Sequence, residues 1–195
     1  IPEASSNGVT RIERPPQEAF IDLTNKSQVS NGQARCVGLA LCNAAGQPCN
    51  SFRQGDLAVF YYEFELVDDI DVPVCGIVIS NDRGLIVFGK NSWQYENVSP
   101  PIGKAGMRVG CRQEVVLDLG VGEYVVEVGL AGAAKQDWDR RKFISHDETA
   151  SVFRRICHMN SAISFAVGMA QRDGIPVLTH HGVANLPGSI ELDVQ

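Results

Sequence analysis

No run of lysines and arginines in this chain would neutralise a phosphate backbone, and the formal net charge is −6. Nucleic acid is therefore excluded as a partner, because its binding rests on cationic side chains displacing counterions. No apolar stretch approaches the roughly 20 residues of a bilayer-spanning helix, and no signal peptide opens the sequence. Cys-x-x-Cys is missing, and with it the usual spacing of a zinc site. Gly-x-Ser-x-Gly is missing too, the strained turn on which a Ser-His-Asp hydrolase carries its nucleophile. There is no internal repeat and no low-complexity block.

Three features that are present still fall short of a site. Gly84-Leu-Ile-Val-Phe-Gly89-Lys90-Asn91 comes close to the phosphate-binding loop GxxxxGK[ST] but ends in Asn. A phosphate loop needs bare backbone that curls ahead of a helix, whereas Leu-Ile-Val-Phe is a strand sequence. His180-His181 has no carboxylate or thiol near it in sequence and reads as an exposed pair rather than a metal site. The six cysteines are spaced against a disulfide framework. Cys36 and Cys42 fall on one strand, about 20 Å apart at ~3.3 Å per residue, beyond disulfide reach. Cys75, Cys111 and Cys157 sit in apolar runs, as buried free thiols do. The expectation is a reducing compartment, with no metal and no cofactor.

What the chain does carry is strand pattern. Phe52–Ser92 organises the rest. Over Leu57–Leu66, Phe60, Tyr62, Phe64 and Leu66 fall on one face, and Tyr61, Glu63 and Glu65 on the other. Period two with one apolar side marks a strand packed on a core. Pro73–Ser80 is β-branched and ends in the turn Asn81-Asp82-Arg83-Gly84; Leu85–Gly89 returns as a short apolar strand. Ala34–Cys42 alternates with Val37, Leu39 and Leu41 inward. Met107–Asp118 places Val109, Cys111, Val115 and Leu117 inward and Arg108, Arg112 and Glu114 outward. Tyr124–Leu130 follows a Gly-rich turn, and its opening Tyr124 suits the immunoglobulin-type corner, where a tyrosine hydroxyl bonds back to the backbone. Ser145 or Asp147 caps a predicted helix over Thr149–His158, with Val152, Phe153 and Ile156 as its buried stripe. Ala162–Val167, Ile175–Thr179 and Ile190–Val194 complete eight or nine strands. The predicted fold is all-β: an immunoglobulin-like antiparallel β-sandwich with a short helix and a C-terminal tail strand. Residues 1–30, with Pro15-Pro16 at their centre and an Ile start, read as a linker from a preceding domain, with one edge strand at Phe20–Leu23.

Among chemistry-bearing groups, Glu63 and Glu65 share a strand face, as a hydrolase's carboxylates do, although such pairs flank a cleft and come from different strands. The outward aromatics Tyr61, Trp93, Tyr95 and Trp138 lie near planar polar groups. An aromatic platform beside Arg, Glu and Asn meets a sugar's apolar face and its rim of hydroxyls.

Gly55-Asp-Leu-Ala-Val-Phe-Tyr-Tyr62, Asp69-Ile-Asp-Val-Pro-Val-Cys-Gly-Ile-Val-Ile-Ser-Asn-Asp-Arg-Gly84, Val87-Phe-Gly-Lys-Asn-Ser92 and Leu119-Gly-Val-Gly-Glu-Tyr124 together resemble a known family. It is the C-terminal carbohydrate-binding domain of Wzt, the ATP-binding subunit of ABC transporters that export O-antigen polysaccharide. The resemblance runs from about Ala34 onward. It implies a missing N-terminal nucleotide-binding domain, and residues 31–195 as a carbohydrate-binding sandwich. It implies a non-catalytic module that reads the modified non-reducing end of a lipid-linked glycan. Its location would be the cytoplasmic face of the bacterial inner membrane, with a transmembrane permease as a further partner. It also implies a homodimer that exchanges a C-terminal strand. The alternatives are a glycan-modifying hydrolase using Glu63 or Glu65, and an exported structural adhesion-type sandwich. Strand parity then gives the expected ligand contacts: Tyr61, Glu63, Arg108 and Arg112 on one outer face, with Trp93 closing one side. The paired forks of Arg108 and Arg112 suit a carboxylate or phosphate cap; cross-strand pairing of the same arginines with Glu63 and Glu114 is the plainer expectation.

Overall fold

The structure is a computed structural model that describes residues 13–96, 98–99 and 102–193. Twelve strands are present among them: β1 Ile21–Asp22, β2 Val29–Ser30, β3 Ala34–Asn43, β4 Ser51–Arg53, β5 Leu57–Leu66, β6 Val72–Asn81, β7 Ile86–Asn91, β8 Arg108–Val116, β9 Gly122–Ala133, β10 Arg154–Gly168, β11 Ala170–Arg172 and β12 Ile175–Val177. Two helices, α1 Lys135–Asp139 and α2 His146–Val152, stand between β9 and β10. One sheet runs β1-β3-β5-β8; the second runs β2-β10-β9-β6-β7, with β4 beside β10. The pairing is antiparallel except for β4 with β10. This is the immunoglobulin-like antiparallel sandwich that the strand pattern predicts, short helix included.

The core sits between the sheets and is built by alternation. Phe60, Tyr62, Phe64 and Leu66 of β5 face Cys75, Ile77 and Ile79 of β6 and Tyr124, Val126, Val128 and Leu130 of β9. Each large side chain so buried contributes roughly 1.5–3 kcal/mol from apolar transfer. The Tyr124 hydroxyl donates to the Gly120 carbonyl at 2.7 Å, the predicted corner. At the β6–β7 turn, Gly84 has a φ of +74° and donates its N–H to Asn81 O at 2.9 Å. Gly84–Asn91 is thus a turn and a strand, as its apolar run requires.

Several expectations need correction. In β3 a bulge between Cys36 and Gly38 shifts the register, so Cys36, Leu39 and Leu41 enter the main core while Ala40 and Cys42 face outward. The predicted helix over Thr149–His158 is half right. Ser145 Oγ accepts from Glu148 N–H, and the Glu148 carboxylate accepts from Ser145 N–H, so the helix starts at His146. The Ser145 N–H and the Ser145 hydroxyl, which both donate to Glu148 Oε2, hold that carboxyl below its usual value. The helix ends at Val152, because pairing along β9 claims Arg154 onward. A bulge between Arg155 and Cys157 buries the neighbours Ile156 and Cys157 together, which breaks period two and mimics a helical stripe. A second irregularity, between Met159 and Ile163, includes Ser161 at φ 51° and explains why Ala162–Val167 reads as a separate strand.

The described part of the predicted linker belongs to the fold. β1 pairs with β3 and β2 with β10, and Leu23 is fully buried. Gln28 ties the sheets together: its side chain bonds both backbone groups of Cys36 and accepts from Cys157 Sγ. Residues 1–12 lie outside the described part. At the other end, Ile175–Val177 folds back on β11 through the Asp173-Gly174 turn. Beyond it, Thr179 N–H donates to Gln54 Oε1, Gly120 N–H donates to Val183 O, and Asn185 reaches Asp118. Ile190 and Leu192 are 83% and 88% exposed, and Ile190–Asp193 forms no strand in the single chain; Val194 lies outside the described residues. Every cysteine is a free thiol.

Candidate functional site

β5 and β8 are neighbours, so the four outward residues predicted to share a face do share it. The register sets Tyr61 opposite Arg112, Glu63 opposite Gly110 and Glu65 opposite Arg108. Arg112 Nε donates to the Tyr61 hydroxyl at 3.2 Å, and its guanidinium carbon lies 5.8 Å from the centre of that ring. The same guanidinium meets Glu114 at 2.5 Å. Arg108 reaches Glu63 at 3.7 Å, and Arg35 on β3 meets Glu65 at 3.0 Å. The plainer expectation, arginines paired with neighbouring carboxylates, is therefore realised in this state. Each guanidinium still has donors directed elsewhere, since five N–H groups exceed what one carboxylate accepts.

Two members of the face are less open than parity suggests. Tyr61 is 6% and Glu63 8% exposed. Residues 13–20, whose composition suggests a linker, cover them. Phe20 packs edge-on to Tyr61 with ring centres 6.5 Å apart. Arg14 Nη1 lies 2.6 Å from Glu63 Oε1. Gly110 makes room for this: a Cβ there would stand 2.5 Å from Arg14 Nη2. A small, partly open pocket of about 10 Å³, room for one water, is lined by Arg14, Phe20, Tyr61, Glu63 and Gly110. Arg14 and Phe20 have no sequence signal beyond their residue type, because a Pro-rich segment has no period from which to read a face.

Trp93 is elsewhere. Asn91 caps the short turn Ser92–Gln94 and points Trp93 at Trp138 and Phe153, with ring centres at 5.7 and 5.0 Å. This cluster lies on the outer face of the six-stranded sheet, against Val72, Val74, Ala131 and Ala133. Trp138, expected to point outward, is 2% exposed, and Arg141 stacks on it at 4.5 Å. Tyr95 is occupied as well. Its hydroxyl accepts from Gln113 Nε2 at 3.1 Å, and Lys90 Nζ sits 4.1 Å over its ring. Gln113, which strand parity sets on the inward face between Cys111 and Val115, also accepts from the Tyr62 hydroxyl and donates to Lys90 O. It joins the two sheets at their open edge.

The remaining candidates resolve simply. Glu63 and Glu65 project from one strand, each beside an arginine. His180 is half-buried rather than exposed, with Nδ1 3.3 Å from Gln54 Nε2 and 2.9 Å from Thr179 Oγ1. Among the described residues no His, Cys, Asp and Glu group has metal-binding geometry, and no helix is long and apolar enough to cross a membrane. An open groove of about 480 Å³ runs along Asn43, Cys49, Ser51, Arg53 and Asp56 at one end of the sandwich.

The comparisons with known proteins agree with this architecture. No curated protein sequence matches the chain. A solved structure described as the crystal structure of the C-terminal domain of Wzt aligns with a TM-score of 0.67 at 18% sequence identity. That alignment covers 92% of this chain and 93% of the other, and at this identity it speaks for the fold alone. The family model for the Wzt C-terminal domain matches residues 25–171, well over half of the sequence. The chain belongs to the Wzt C-terminal domain family.

Proposed function

We propose that this domain is a non-catalytic module that binds the non-reducing end of an O-antigen polysaccharide and so couples completion of the glycan to its export by an ABC transporter. The observation that carries the reading is the family match across residues 25–171. The outer face of the four-stranded sheet supplies a surface suited to the task. Tyr61 offers a ring for the apolar side of a sugar, Glu63 accepts from hydroxyls, and Arg108 and Arg112 grip an anionic cap. Trp93 drops out of this contact set, because it packs on the other sheet. Beneath residues 13–20, Arg35, Arg108 and Arg112 stand against Glu63, Glu65 and Glu114, so the face is balanced on a protein of net charge −6.

The wider setting belongs to the same proposal. A nucleotide-binding domain precedes the sandwich in the full-length protein, a transmembrane permease is its partner, and the assembly works at the cytoplasmic face of the inner membrane. Six free thiols suit that reducing compartment. Two copies associate through the C-terminal tail, whose exposed Ile190 and Leu192 alternate with acidic residues as an added strand would. The test is a binding screen against polysaccharides that differ in their non-reducing ends, followed by sizing of the glycan. Selective binding with unchanged chain length is expected. Chain shortening that is lost in Glu63→Gln would replace this reading with a hydrolase.

A further inference from the structure

Resting on the reading of the four-stranded face as the ligand face, we infer that residues 13–20 are a displaceable strap that gates it. Four observations converge. The strap covers the two groups a ligand needs most, the ring of Tyr61 and the carboxylate of Glu63, which are 6% and 8% exposed beneath it. It covers them with matching chemistry: Phe20 sits against Tyr61 where a sugar's apolar face would sit, and Arg14 occupies Glu63 where hydroxyls would donate. Its hold is light. Arg14 is half exposed, and an ion pair of this kind contributes little in water. Backbone support is likewise local: Ala19 N–H donates to Pro16 O and Phe20 N–H to Gln17 O, while ladder pairing to the sheet begins only at Ile21.

Beneath the strap, the sheet stands without it. Arg108 remains near Glu63, and Arg112 bonds Tyr61 and Glu114. Lifting residues 13–20 therefore uncovers an assembled site instead of requiring one to form. The hinge falls at Phe20–Ile21, where the chain enters β1, and fully buried Leu23 anchors the chain on the sheet side of it. Because the strap is continuous with residues 1–12, a pull or rotation of the chain upstream reaches the ligand face directly. Ligand binding and the position of the upstream chain are then linked, since each favours the open form.

Gly110→Ala and Arg14→Ala test this in the full chain. The first brings a methyl against the mobile end of Arg14, and the second removes that end; neither changes Tyr61, Glu63, Arg108 or Arg112. Residue-resolved hydroxyl-radical footprinting of Tyr61 and amide exchange at Ala19 and Phe20 are read in both variants and the parent. Labelling and exchange at least fivefold faster in the variants, with the Leu23 amide unchanged, are the expected results. Rates within twofold of the parent in both variants would overturn the strap. The glycan arm is separate: the polysaccharides of the binding screen are titrated into parent and Gly110→Ala. Affinity several-fold higher in Gly110→Ala is expected, and equal affinity would overturn the gating. If no polysaccharide binds either protein, the glycan reading fails while footprinting and exchange still decide whether the strap opens.

Discussion

Residues 13–20 lie across the four-stranded sheet on one ion pair and on Ala19 and Phe20, which pack against Ala40, Cys42, Val59 and Tyr61, whereas residues 134–153 lie across the six-stranded sheet on Trp93, Trp138 and Phe153. Both segments cover an outer face, but they differ in how much water they exclude. Trp138 is 2% exposed, while Arg14 keeps half of its side chain in solvent. A buried tryptophan holds its segment by apolar area and packing, which do not fade with salt. A half-exposed ion pair is weakened by salt and competes with water for both partners. One cover is thus fastened by a fully buried tryptophan, and the other by two partly buried apolar side chains and a solvent-exposed ion pair.

The largest test of this contrast is Trp138→Ala. Truncating a buried tryptophan should cost about 3–5 kcal/mol in urea unfolding and loosen the whole 134–153 segment. A loss below ~1 kcal/mol would place the two covers on the same footing. The core between them supplies an internal scale. Burial pushes the Cys36 thiol up to about 12 from 9.0, so the folded chain holds its proton where the unfolded chain has lost it. Stability is therefore full below pH 9 and falls as pH rises from about 9 towards 12, by ~1.4 kcal/mol per pH unit for one proton. Urea midpoints between pH 8 and 11 should show the decline, with a shallower slope in Cys36→Ala; identical slopes would mean that this thiol ionises alike in both states. Phe20→Ala should cost about 1–2 kcal/mol, because its ring is only partly buried. Arg14→Ala should change stability by ~0–1 kcal/mol. Raising salt to about 1 M should speed exchange at Phe20 and leave the amide of Trp138 unaffected. An equal response at both amides would erase the distinction.

The sandwich was legible because β5 and β9 keep strict alternation, β6 reads as a β-branched run ending in a turn, and Tyr124 marks its own corner. Legibility failed at the bulges. Ile156 and Cys157 are adjacent yet both buried, so their spacing looks helical, and Cys36 and Leu39 share the core across a shift that no single-strand pattern shows. Of the predicted contacts, Tyr61, Glu63, Arg108 and Arg112 came together because parity within a strand and adjacency of β5 with β8 suffice to place them. Trp93 did not, because a capped turn, not a strand, sets its direction. Arg14 and Phe20 were out of reach for a related reason. Side chains of an irregular segment are placed by the surface they land on, and that surface exists only once the sheet has formed.

The most direct test of the central claim is to map a polysaccharide titration onto an isotope-labelled domain by amide chemical shifts. The account predicts perturbations centred on Tyr61–Glu63 and Arg108–Arg112, spreading to Ala19 and Phe20 as the strap moves, with the Trp93 and Trp138 indoles unshifted. Perturbations centred instead on Trp93, Trp138 and Phe153, with residues 61–63 and 108–112 silent, would contradict it.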